Sequence, residues 1–131
     1  MTKHMTQLLP IQSLASGESA ANLASGLKNR GIQVFYLDGR EICDKQSFLH
    51  KVAEAMKFPD YFGYNWDALD ECITDLDWCP AERYILIYDQ PEIFSKAEPT
   101  EWKIAYDVLR SAVDYWQGTD TPLDILFIGE T

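Results

Sequence analysis

Apolar and polar residues alternate in "IQVFYLDG", where Ile32, Val34 and Tyr36 mark one side of a segment that ends in an Asp-Gly turn at Asp38 and Gly39. Alternation of this kind predicts a strand. The period then lengthens: Phe48, Leu49, Val52, Ala53 and Met56 recur every three or four residues, which predicts a helix over about 45–57. Pro59 and Gly63 interrupt it and place Tyr61 and Phe62 in a loop, with Phe62 expected to turn into the core. Asn65 can cap a following helix over 66–76 by accepting from its free backbone N–H groups. "RYILIYD" is almost wholly apolar, as a strand buried on both faces of a parallel sheet should be. A stripe of Trp102, Ala105, Tyr106, Leu109, Ala112, Val113 and Trp116 predicts a long helix over 99–117, and "LDILFIG" reads as a third strand. At the other end, "QLLPI" reads as an edge segment, because Pro10 cannot donate to a ladder. Ala20, Leu23 and Leu27 predict a helix over 17–30, with Gly31 as its stop signal.

Strands separated by helical stretches give an α/β class: a small three-stranded parallel sheet packed with helices and joined by right-handed crossovers. The length of 131 residues fits one domain spanning 1–131. No internal repeat or low-complexity tract divides it.

Composition narrows the functional classes. With 47% apolar and 13% aromatic residues the chain can bury a core, and no apolar run nears the roughly 20 residues of a membrane span. The opening residues lack the apolar stretch of a secretory signal, so a cytoplasmic location is expected. Cys43, Cys72 and Cys79 are odd in number and form no CxxC pair, which argues against a disulfide framework and a structural zinc site. Cys72 lies on an apolar helix face and reads as a small core residue. No cofactor motif is present. The net charge of −10 disfavours nucleic acid and anionic membranes as partners, since both are polyanions. Basic proteins are the natural counterparts, although acidity also serves solubility alone.

The acids concentrate in one place. Asp67, Asp70, Glu71 and Thr74 share one helical face, while Leu69, Cys72, Ile73 and Leu76 share the opposite one. The helix dipole explains Asp67 in the first turn, but it disfavours Asp75 and Asp77 near the other end. No basic residue interleaves them, so the run gains nothing from i,i+4 pairing. An acidic binding face accounts for this better than a solvated surface, and Tyr61 and Tyr64 beside it supply the aromatics typical of interfaces. Trp66 is expected to pack inward.

The run Pro59, Tyr61, Gly63, Asn65, Asp67, Ala68, Leu69, Cys72 and Thr74, in "PDYFGYNWDALDECIT", closely resembles the inhibitory segment of the barstar family, intracellular inhibitors of secreted bacterial ribonucleases. "VFYLDGREICDKQSFLHKVAEAMKF" resembles the family's first strand and helix, and the later elements keep its order. The resemblance covers 32–131 and leaves 1–30 as an N-terminal extension with one extra helix. It implies a barstar-like fold, no catalysis and no cofactor. The implied partner is a small basic ribonuclease or ribonuclease-type toxin domain, bound one to one through Tyr61, Asn65, Asp67, Glu71 and Thr74, with Asp70 and Asp75 beside them. Glu71 stands where the family has Asp, Asp70 where it has Trp, and Asp75 with Leu76 where it has Gly-Trp; Ser111 aligns with a family acid on the long helix. Two other readings stay open. A barstar-like acidic module could bind a different basic protein. The carboxylates of Asp67, Asp70 and Glu71 could serve an enzyme or a divalent cation, yet they come with no histidine, nucleophile or phosphate loop.

Overall fold

A computed structural model describes residues 31–129; the expected helix over 17–30 and the "QLLPI" segment lie outside them. The order is β1 (Ile32–Asp38), α1 (Lys45–Met56), α2 (Trp66–Ile73), β2 (Arg83–Asp89), α3 (Glu92–Ala97), α4 (Pro99–Gln117) and β3 (Leu123–Ile128). The three strands are parallel in the order β1-β2-β3, with Val34 opposite Ile85 and Ile85 opposite Asp124. This is the expected α/β arrangement, and all three strands fall where the pattern placed them.

Each helix begins for a local reason. Asp44 caps α1, its carboxylate accepting from Ser47 N at 2.8 Å while Ser47 Oγ accepts in return from Asp44 N at 3.2 Å. This reciprocal box satisfies two donors that an α-helix otherwise leaves orphaned. Pro99 opens α4, where its fixed φ suits the first turn and its missing N–H costs nothing.

Two short elements escaped the pattern. The Asp-Gly turn continues into a single 3-10 turn over Gly39–Glu41, with Asp38 accepting from Arg40 N. α3 is a six-residue helix between Pro91 and Pro99 in which only Phe94 is buried, too short to show a period.

Rings tie the sheet to the helices. Tyr88 of β2 meets Phe48 of α1 at 6.0 Å and Trp102 of α4 at 6.0 Å, and Tyr84 meets Trp116 of α4 at 5.2 Å. Phe48 also touches Phe94 at 5.4 Å, drawing α3 into the same cluster. Within this cluster the Tyr88 hydroxyl is buried with no hydrogen-bond partner among the described residues, and burial pushes its pKa far up. An orphaned hydroxyl carries a desolvation cost of about 1–3 kcal/mol. Tyr88→Phe should therefore leave the urea unfolding free energy unchanged or raise it by up to about 2 kcal/mol. A loss of stability would mean that the hydroxyl has found a partner.

Candidate interaction surface

The acidic segment sits on a mounting that its own sequence builds. Asn65 Oδ1 accepts from Ala68 N at 2.8 Å and its Nδ2 donates to Gly63 O at 3.3 Å, so the side chain caps α2 and braces the loop before it. Tyr64 adopts a left-handed conformation at φ 53° and stacks on His50 of α1 at 4.4 Å. Phe62 lies against Tyr64 at 4.8 Å and Phe58 at 4.9 Å, and Phe58 reaches Trp78 at 5.9 Å. A continuous ladder of rings thus runs beneath the loop from His50 to Trp78. Three indole N–H groups fasten the segment to its neighbours. Trp66 donates to Glu101 of α4 at 3.2 Å, Trp78 to the Met56 carbonyl at 3.2 Å, and Trp116 to the Ile73 carbonyl at 2.8 Å.

On this base α2 turns Leu69, Cys72 and Ile73 into the core and leaves Asp67, Asp70 and Glu71 exposed. Phe62 is buried, Trp66 is half-buried against Phe48, and Tyr61 projects with 71% of its surface open. These placements match the sequence reading. The helix itself is shorter than expected, ending at Ile73 rather than at 76. Thr74 turns its hydroxyl back to donate to the Asp70 carbonyl at 2.7 Å, and Leu76 takes a left-handed conformation at φ 49° with its side chain fully buried. The Asp70 carbonyl competes with any partner for the Thr74 hydroxyl, and Asp75 and Asp77 leave on a turn. The Asp75 N–H donates to the Cys72 carbonyl at 3.1 Å, so this acid sits just past the C-terminal end of the helix, where the dipole opposes it.

The turn brings the acids together with Tyr61. Partial desolvation raises the Tyr61 phenol, and the Cys72 thiol and the carboxylates of Asp75, Asp77 and Glu71 add to it. The charge of Asp75, followed by a hydrogen bond between the two carboxyl groups, raises Asp77 above the ordinary carboxylate value of 3.8. A raised acid destabilises the fold once ionised: the cost is absent below the ordinary value and grows as pH rises through the raised one. Asp77 stood in the acid run noted from sequence but not among the residues expected to meet a partner. Among the described residues the ion pairs join Arg40 to Asp38, Lys51 to Glu41 and Glu54, and Arg83 to Asp124. None engages Asp67, Asp70, Glu71, Asp75 or Asp77.

Tyr61, Glu71, Asp75 and Asp77 are exposed, Asp67 and Asp70 are exposed along α2, and Asn65 caps the helix. Among the described residues no three histidine, cysteine or carboxylate side chains converge to hold a metal ion. No described helix is long and apolar enough to cross a membrane. Cys72 is buried as a free thiol, with Cys43 exposed and Cys79 between.

A comparison with curated proteins finds no match. The family model described as Barstar (barnase inhibitor) matches residues 32–128, from the first residue of β1 to the last of β3 and including the whole acidic segment. The chain belongs to the barstar family.

Proposed function

We propose that this protein inhibits a small basic bacterial ribonuclease, or a toxin domain of that type, by laying its acidic segment into the enzyme's active site. The observation that carries the reading is the set of exposed carboxylates on α2 and the turn after it, none ion-paired within the described chain, in a family described as barnase inhibitors. A ribonuclease holds phosphates with Arg, Lys and His, and carboxylates can occupy the same positions through charge-assisted hydrogen bonds. Asp67, Asp70, Glu71 and Asp75 supply the charge, Tyr61 supplies an exposed aromatic contact, and Asn65 and Thr74 fix the ends of α2. The protein acts as a plug and not as a catalyst. Its mounting matters because side chains ordered before encounter lose little entropy on binding.

A second reading keeps the surface and changes the partner. Asp70, Glu71 and Asp75 each depart from the family's residue at that position, and these departures favour a different basic protein, since fold alone does not fix a target.

Calorimetric titration against a barnase-type ribonuclease, with RNA cleavage followed in parallel, separates the two. One-to-one binding with loss of cleavage supports inhibition; neither would move the partner to another basic protein. Salt provides a further check. Raising ionic strength from about 0.01 M to 0.15 M shortens the Debye length from about 30 Å to 8 Å, so the association rate should fall severalfold. A rate indifferent to salt would remove long-range attraction from the mechanism.

A further inference from the structure

The loop before α2 is strained at Tyr64 and not at the glycine beside it. Tyr64 is left-handed at φ 53°, while Gly63, which could take that conformation freely, does not. A bulky residue rarely enters the left-handed region, and it stays there only where its surroundings over-determine it. Tyr64 is 42% exposed, so close packing on every side does not explain the choice.

Its ring rests on His50 of α1. The two stack at 4.4 Å with 25° between their planes, and Phe62 meets the tyrosine at 4.8 Å, edge to face. His50 is itself exposed, yet α1 sets the plane of its ring. Nδ1 lies 2.9 Å from the Gln46 carbonyl, which can only accept, so Nδ1 carries the proton and donates. The same helix reaches the residue on the other side of Asn65: Phe48 meets Trp66 at 5.8 Å, and Lys45 Nζ stands 5.6 Å over that indole. α1 thus grips both neighbours of the residue that caps α2 and braces the loop through Gly63. Contacts run in order from Gln46 through His50 and Tyr64 to the cap, and from the cap to Asp67 in the first turn of α2. Toward the start of the loop they run through Phe62 to its neighbour Tyr61.

We propose that His50 is a positioning residue for the interaction surface: by stacking on Tyr64 it holds the loop over 59–65 in the conformation that presents Tyr61 and Asp67. It acts through Tyr64 and not by touching the partner. The part it plays in binding rests on the inhibitor reading, whereas its hold on the loop does not.

Amide exchange followed by NMR in the free chain tests the hold. Two amides report on it: Phe62, which donates to the Pro59 carbonyl at 3.0 Å, and Ala68, which donates to Asn65 Oδ1 at 2.8 Å. In His50→Ala both should exchange roughly two- to tenfold faster, the worth of one aromatic contact. His50→Phe keeps a flat ring in place and should restore the parent rates. In a Tyr64→Gly chain, where glycine takes the left-handed backbone with no ring to stack, adding His50→Ala should change nothing. Unaltered rates in His50→Ala, no rescue by phenylalanine, or an added effect beside Tyr64→Gly would each overturn the proposal. Against a barnase-type ribonuclease that the parent binds, His50→Ala should weaken binding by roughly the same two- to tenfold and His50→Phe should not. Parent affinity in His50→Ala would overturn the role in presentation. A parent chain that binds no such ribonuclease overturns the inhibitor reading alone, and the exchange rates still decide the hold on the loop.

Discussion

Asp67→Ala combined with Glu71→Ala is expected to abolish inhibition of a ribonuclease partner at concentrations where the parent chain inhibits fully. Both carboxylates are exposed one helical turn apart on α2, and neither has an ion-pair partner among the described residues. Against a guanidinium each would accept charge-assisted hydrogen bonds worth about 1.5–3 kcal/mol, so each single variant should weaken binding roughly ten- to 150-fold. The longer Glu71 has one more rotor to order than an aspartate would, which favours the lower end for that residue. Stability should move little. Removing Glu71 relieves like-charge neighbours, and removing Asp67 forfeits a few tenths of a kcal/mol of favourable dipole interaction. Asp120→Ala, an equal change of charge in an exposed loop, is the control for net charge alone. Titration of the double variant, the two single variants and the control, with thermal melts alongside, checks this. If the double variant binds a ribonuclease that the parent binds, and as tightly, the acidic face is only a solvated surface and the interface lies elsewhere.

Gly39→Ala is expected to be the most damaging single methyl in the described chain. A Cβ there would overlap the Asp89 carbonyl oxygen and stand 2.5 Å from that of Gln90, both backbone atoms that cannot rotate away. Nor is that backbone free to retreat. Gln90 is held left-handed at φ 58° and donates its N–H to the Ile128 carbonyl at 2.6 Å, fastening β2 to β3. Overpacking of a close site costs about 1–3 kcal/mol, and a backbone clash belongs at the top of that range. Urea unfolding should show a midpoint lowered accordingly with an unchanged slope. A change below about 0.5 kcal/mol would mean that the 3-10 turn can move off the strand ends. Because the turn is remote from α2 in sequence and carries none of its acids, the folded fraction should still bind as the parent does.

How much of this was readable in advance follows from the range of each interaction. The three strands and the span of α4 were legible because β1 alternates, β2 and β3 are short continuous apolar runs, and α4 buries residues at helical spacing. The inward turn of Leu69 and the outward turn of Asp67, Asp70 and Glu71 follow from helical spacing, whereas Tyr61 and Phe62 lie in a loop that has no period. The end of α2 was misread because Leu76 continues the apolar spacing perfectly while adopting a left-handed backbone that no helix tolerates. Its burial is served by the turn and not by a further helical turn. α3 left no mark on the pattern because one buried residue, Phe94, has no period. The ladder from His50 to Trp78 was invisible for another reason: its rings come from α1, the loop and the segment after α2, and only the folded backbone brings them together. His50 in particular had no context in sequence that gave it a task.

The parallel sheet has a consequence for the order in which the chain can fold. Ile32 pairs with Arg83 and Tyr84 with Leu123, so among the described residues no strand meets a neighbour through a hairpin and each of these ladders waits for a long loop to close. Such non-local pairing is slow compared with helix formation. The acidic segment lies within the first of those loops, between β1 and β2. Its two anchors on α4, through Trp66 and Trp116, come from beyond β2 altogether. A chain emerging during synthesis therefore cannot present the finished surface until α4 has been made and docked. Display of the carboxylates in their working arrangement is a late event, and a nascent or partly unfolded copy lacks the geometry even though it carries every charge.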